Sequence, residues 1–129
     1  MRFVPYLLSA LLLGAMLGTA QAAPATIEGA WGGSGIAKIR NRTDRIVCRV
    51  NFDKIAQTTF SVSAHCSAGD RSYEQTGRVS RVSSNRYRGY VDNVQFNDRG
   101  NVSISQSGSR LTVNVSGGRG TANLTLSRR

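Results

Sequence analysis

In the stretch from Arg45 to Phe52 apolar side chains take every second position. Ile46, Cys48, Val50 and Phe52 fall on one side of an extended chain, and Arg45, Arg49 and Asn51 on the other. The stretch from Thr59 to Cys66 repeats the pattern with Phe60, Val62, Ala64 and Cys66. Both sulfurs therefore point to the apolar side. A hairpin that sets Cys48 opposite Cys66 also sets Val50 opposite Ala64 and Phe52 opposite Val62, so one register satisfies the alternation and the cysteines together. These are the only 2 cysteines of the chain, and no second pair or Cys-x-x-Cys spacing accompanies them, so a disulfide is expected rather than a reactive thiol. Closing a loop of this length contributes roughly 3 kcal/mol by the chain-entropy estimate, against the ~5–15 kcal/mol that hold a domain together.

The same period of two runs through the rest of the chain, and no apolar stripe of helical period interrupts it. Ile27, Trp31, Ala37 and Ile39 share a parity around Gly32-Gly33-Ser34-Gly35, which predicts a first strand with a kink or bulge. Tyr73 and Val79 mark a fourth strand, and Tyr87, Gly89 and Val91 a fifth. Val94 with Phe96, Val102 with Ile104, Leu111 with Val113 and Val115, and Ala122 with Leu124 and Leu126 give four further runs. Turn signals separate them at Ser83-Ser84-Asn85, Asp98-Arg99-Gly100-Asn101, Ser107-Gly108-Ser109 and Gly117-Gly118-Arg119-Gly120. The expected fold is all-β: an antiparallel meander of about eight or nine short strands. Its one buried face closes either into a small barrel or into a two-layer sandwich, pinned by one disulfide. Inward residues that alternate small with medium suggest a filled interior, with a short ligand cavity at one mouth as the variant.

Residues 1–22 form the other strong signal. Met1-Arg2, an apolar run over residues 3–17 and Ala20-Gln21-Ala22 are the basic start, short hydrophobic segment and small-residue site of a cleavable export signal. The apolar run is short for a bilayer, and Gly14, Gly18 and Pro24 disfavour a retained anchor. The expected organisation is a signal peptide over 1–22 and a single β domain over 23–129, periplasmic or secreted. No Cys follows the cleavage point to carry a lipid, and no second segment is long and apolar enough to span a membrane.

Without the signal, 16 Lys and Arg stand against 7 Asp and Glu, a formal +9, and only Lys38 and Lys54 are Lys. Such a charge favours anionic partners, although a genomic preference for Arg produces the same bias. The richest cluster is Arg78, Arg81, Arg86 and Arg88 with Tyr87 and Tyr90. A second set comprises Lys38, Arg40, Arg42, Arg45 and Arg49. Arg offers planar bidentate contacts to phosphate and carboxylate, and Tyr offers a stacking face. Arg86, Arg88 and Tyr90 share one parity and are expected on an outer face, where a merely solvated surface is the competing reading. Export argues against intracellular nucleic acid. The remaining anions are lipopolysaccharide, anionic lipid, acidic polysaccharide or an acidic protein.

Catalytic chemistry finds little purchase. The single imidazole, His65, falls on the polar face beside Cys66, and Ser34 sits in Gly-Gly-Ser-Gly-Ile, not in a Gly-x-Ser-x-Gly elbow. Asp70 with Glu74 and Asp92 with Asp98 are the only near carboxylate pairs, each more simply a turn or strand-end acid beside an Arg. One His and a bridged cysteine pair do not make a metal site, and no cofactor motif occurs. Gly32-Gly33 and Gly117-Gly118-Arg119-Gly120 read as tight turns before they read as anion cradles. Asn-x-Ser/Thr at Asn41, Asn101, Asn114 and Asn123 would matter only for a eukaryotic source.

At Gly29-Ala30-Trp31-Gly32-Gly33-Ser34-Gly35, together with Cys48-Arg49 and Cys66, the chain resembles a group of small secreted or periplasmic β proteins of alphaproteobacteria, chiefly rhizobial. They share a signal peptide, a Gly-x-Trp-x-Gly-Ser-Gly start, a Cys-Arg strand, a second Cys and a Ser/Gly/Arg-rich β tail. The resemblance covers most of the mature chain. It implies the β fold and the periplasmic address, and it brings no catalytic residue. The Gly-x-Trp opening also resembles that of lipocalin-like barrels.

These readings point to a non-enzymatic exported domain that meets an anionic envelope component through an Arg-rich face. One alternative is an inhibitor of a secreted hydrolase, of protease or lysozyme type, acting through the Gly118-Arg119 turn or the 53–59 loop. A second is a lipocalin-like carrier of a small ligand. The mature protein is expected to begin at Ala23 with Cys48 joined to Cys66. Intact mass of protein recovered from its native compartment checks both: two free thiols, or a mass that retains residues 1–22, would refute the reading.

Overall fold

A computed structural model describes residues 26–129; the expected export signal over 1–22 lies outside the described residues. Eight strands follow in chain order: β1 (Gly29–Ile39), β2 (Arg42–Lys54), β3 (Thr59–Ala68), β4 (Arg71–Ser83), β5 (Arg86–Asn93), β6 (Asp98–Ser107), β7 (Arg110–Gly117) and β8 (Gly120–Arg128). Each pairs antiparallel with the next, and β1 pairs with β8, so the sheet closes into a barrel. Closure decides between barrel and sandwich, and it removes the free edges that an open meander would expose.

The hairpin of β2 and β3 has the register that alternation requires. Cys48 stands opposite Cys66, Val50 opposite Ala64 and Phe52 opposite Val62. The disulfide joins Cys48 to Cys66 with their Cα atoms 4.1 Å apart, and both residues are buried.

Two sequence expectations shift. The alternating pair Val94 and Phe96 is not a strand: residues 94–97 form the turn between β5 and β6, and both side chains are exposed. Asn93 accepts a hydrogen bond from the Gln95 amide through Oδ1 at 3.0 Å, and Asn97 takes φ 48°. These are local preferences of Asn that outweigh two apolar side chains. The presumed turn at Asp98-Arg99-Gly100-Asn101 accordingly lies inside β6.

The glycine-rich opening likewise holds no bulge, since β1 pairs residue by residue with both neighbours. Among the described residues the one register shift between paired strands falls between Arg81 and Ser83 of β4. Gly33 and Gly35 serve close approach instead. A β-carbon on either would overlap a carbonyl oxygen of β8, that of Thr125 or Asn123 respectively. Gly77 and Gly89 do the same between β4 and β5, against the carbonyls of Tyr90 and Arg78. The two creased seams stand four strands apart in the ring of eight, on opposite sides of the barrel. Glycine creases of this kind let a small sheet coil tightly enough to close.

One end of the barrel is solid. Trp31, Phe52, Phe60, Tyr87, Leu111 and Leu126 are almost wholly buried there, with Phe60 edge-on to Tyr87 at 5.8 Å. The indole of Trp31 donates to the Ile27 carbonyl at 2.8 Å. Arg128, from the last strand, lays its guanidinium 4.5 Å over the Trp31 ring and donates to the carbonyls of Glu28 (2.8 Å) and Thr26. Arg128 thereby ties the segment before β1 across this floor, using the stacking and forked donors that only Arg combines.

The closing seam gives a test. Gly35→Ala is expected to lose about 2 kcal/mol or more, because the new methyl must push β8 away from β1. Gly118→Ala, in a turn with nothing within 4 Å of the added carbon, should stay within about 0.5 kcal/mol of the parent. Urea unfolding of the two variants measures the difference.

Candidate functional site

Inward-facing side chains change in size along the barrel axis. Large aromatic and branched residues crowd the floor, whereas Ala37, Ala68, Val91, Gly100, Val115, Gly117 and Ala122 line the opposite end. Ala37 and Ala122 face each other across the β1/β8 seam, two methyl groups where the floor has rings. The space they leave is an open cavity of about 500 Å³ at the mouth, where the turns of β1–β2, β3–β4, β5–β6 and β7–β8 gather. Beneath it the core holds a small void of about 30 Å³. The barrel is therefore a cup with a closed floor.

The wall is largely apolar, with Ala37, Ile46, Val91, Val115 and Ala122 joined by the half-buried ring of Tyr73. Gln75 and Asn93 add uncharged polar groups. The charged residues of the lining are Arg40, Arg42, Arg71 and Arg119 with Asp44, which stands opposite Ala37, and Asp98, which stands opposite Asn93. Arg42 reaches Asp44 at 3.7 Å and Arg119 reaches Asp98 at 3.9 Å. Arg119 also covers Phe96 at 4.6 Å, and Phe96 leans on Tyr73 at 6.1 Å. Tyr73, Phe96 and Arg119 thus form a continuous bar along the β5–β6 side of the opening. The Arg40 amide donates to the Arg119 carbonyl at 3.3 Å, which fastens the β1–β2 turn to the β7–β8 turn.

The residues singled out by sequence scatter over three environments. Arg78, Arg86 and Arg88 are exposed on the outer wall, with Arg78 paired to Tyr90 across β4 and β5. Arg81 leaves that face: its parity is inward, and its guanidinium donates to the carbonyls of Ser83 (3.2 Å) and Ser84 (2.6 Å), holding the irregular end of β4. Tyr87 leaves it too, being fully buried in the floor, where no external ligand can stack on it. The ring of Tyr90 already carries the Arg99 guanidinium at 4.0 Å. Arg99 in turn makes two hydrogen bonds to Asp92, which hold that carboxyl below the ordinary carboxylate range. The pair is exposed, so it adds little to stability.

The carboxylate pairs considered for acid–base work do not converge. Asp92 lies on the outer wall with Arg99, whereas Asp98 lines the mouth with Arg119. Glu74 stands 3.8 Å from His65 at an exposed position. Among the described residues no group of three or more His, Cys, Asp and Glu gathers to hold a metal ion.

No protein-family model and no curated protein matches the sequence. Solved structures do match in shape. A redesigned β barrel, mFAP1, bound to DFHBI, is 14% identical, with a TM-score of 0.68 over 79% of this chain and 94% of that one. A de novo designed fluorescence-activating β barrel is 16% identical, with a TM-score of 0.62 over 79% and 92%. Rv2717c from M. tuberculosis is 11% identical, with a TM-score of 0.53 over 79% and 92%. At these identities the likeness establishes the small closed barrel.

Outer wall and floor should respond oppositely to substitution. The double change Arg86→Ser/Arg88→Ser removes exposed charge and is expected to move stability by no more than about 0.5 kcal/mol per site. Tyr87→Ala empties part of the floor and should cost about 3–5 kcal/mol. Thermal denaturation of both variants checks the assignment of faces.

Proposed function

We propose that this chain is an exported, non-enzymatic carrier that seats a small, largely apolar molecule in the mouth of its barrel. The observation that carries this reading is the cup itself. A barrel of eight strands is just wide enough either to fill its interior with side chains or to hold one small ligand. Here the floor is filled and the mouth is left open, at about 500 Å³, within the roughly 300–1,000 Å³ usual for small-molecule sites. A mostly apolar lining with a few polar and charged groups converging on it matches the usual make-up of such sites. The redesigned barrel bound to DFHBI supports the same architecture as a ligand holder.

A periplasmic or secreted address is supported by a disulfide, which persists in oxidising compartments, and by the signal-like pattern of residues 1–22. The Gly118-Arg119 turn considered for an inhibitor has its arginine folded back over Phe96 and Asp98. Such a side chain does not project like one that enters an enzyme cleft.

The neutral dye N-phenylnaphthylamine tests the reading. Its fluorescence should rise saturably with the mature protein. Ala122→Phe, which fills the cavity from the seam, should weaken binding by roughly tenfold or more while leaving the melting temperature near the parent's. Ala37→Leu fills the same space from the facing strand and should act alike. Binding that both variants leave intact would refute the cavity as the site.

A further inference from the structure

We infer that the mouth selects an amphipathic anion, with an apolar body in the cup and a single carboxylate, sulfonate or phosphate at the rim. This deepens the carrier reading and rests on it.

Charge at the opening is unbalanced in a specific way. Of the four arginines that line it, Arg42 and Arg119 have carboxylate partners, Asp44 and Asp98. Arg40 and Arg71 have no carboxylate within 4.0 Å among the described residues. Asp70, beside Arg71 in the chain, makes no ion pair with it. The lining therefore carries two more positive than negative charges, held by two guanidinium groups with free donors. Arg40 sits on the β1–β2 turn and Arg71 at the start of β4, so the free donors come from two separate turns around one opening.

Arg presents a planar fork that matches a carboxylate, phosphate or sulfonate, and its charge does not titrate away. The cavity lining is mostly apolar, its uncharged polar groups are Asn41, Gln75, Asn93 and Thr121, and its two carboxylates, Asp44 and Asp98, stand opposite Ala37 and Asn93 and are the ones that reach Arg42 and Arg119. A neutral ligand would leave the rim unused, and a small hydrophilic anion would leave the walls uncovered by anything apolar. Only a molecule with both parts meets both surfaces. The outer arginines Arg78, Arg86 and Arg88 line neither the cup nor the small void beneath it.

Two dyes with one aromatic body isolate the charge. Anilinonaphthalene sulfonate carries a sulfonate that N-phenylnaphthylamine lacks. The mature protein should bind the sulfonate dye roughly tenfold more tightly, as expected for charge-assisted hydrogen bonds at a partly exposed site, with the preference shrinking as salt is added. The double variant Arg40→Gln/Arg71→Gln should abolish the preference and leave the neutral dye's affinity unchanged. Laurate should displace the sulfonate dye, whereas inorganic phosphate at equal concentration should not.

Equal affinity for the two dyes, or a preference that survives Arg40→Gln/Arg71→Gln, would overturn the inference while leaving the carrier reading in place. Loss of the preference in Arg86→Ser/Arg88→Ser would overturn it by moving the anion to the outer wall. Displacement by phosphate alone would overturn the amphipathic requirement. Failure of both dyes to bind would refute the cavity reading and this one together.

Discussion

Pairing of β1 with β8 is the contact on which everything else rests. It joins the two ends of a sheet whose other pairings are all hairpins between consecutive strands, so it alone carries the long loop-closure cost of the fold. It is also the place where the chain leaves no room for error. Gly33 and Gly35 bring β1 so close to β8 that no β-carbon fits, and the Arg129 amide donates to the Ala30 carbonyl at 3.0 Å to extend the seam. Arg128 completes the same junction from the side, over Trp31 and onto the segment before β1. Floor and closure are thus one construction: the residue that caps the tryptophan belongs to the strand that shuts the barrel.

A closed ring of fixed strand number has an interior of nearly fixed width, so side-chain volume along the axis decides what is solid and what is hollow. Rings at the floor and methyl groups at the mouth produce the cup with no change in backbone architecture. Burial at the floor supplies stability, since each large side chain removed from water contributes about 1.5–3 kcal/mol. The disulfide lies on β2 and β3 between the two regions, with Cys66 lining the small void beneath the cavity. A covalent link there braces the wall at the level where side-chain packing gives out.

Much of this was legible in the sequence, for a reason that also sets the limit. Alternation fixes which face a residue occupies, so the Cys48–Cys66 register, the inward set of β2 and β3 and the outward Arg86 and Arg88 could all be read directly. It does not fix height along the barrel. Ala37 and Ala122 are 85 residues apart in the chain, and nothing local announces that they meet at one end of one seam. Arg40 and Arg42 were visible as part of a basic set, but Arg71 and Arg119 joined them only through the gathering of four turns. Arg81 and Tyr87 neighbour the outer arginines in sequence but alternate with them along their strands, so parity separates them from that face.

The arginine bias can now be divided by what each guanidinium touches. Arg81 and Arg128 satisfy backbone carbonyls and hold the chain's own geometry, and Arg99 is consumed by Asp92 and Tyr90. Arg42 and Arg119 are balanced by rim carboxylates. What remains is a dispersed outer set and the two uncompensated groups at the mouth. The dispersed charges lie on the outer wall, where water and salt screen them. The same charge beside a concave apolar cavity meets a ligand over a shorter, drier distance and interacts more strongly. On the carrier reading proposed above, position relative to the cup, and not the number of arginines, separates a recognition element from a solvated surface in this fold.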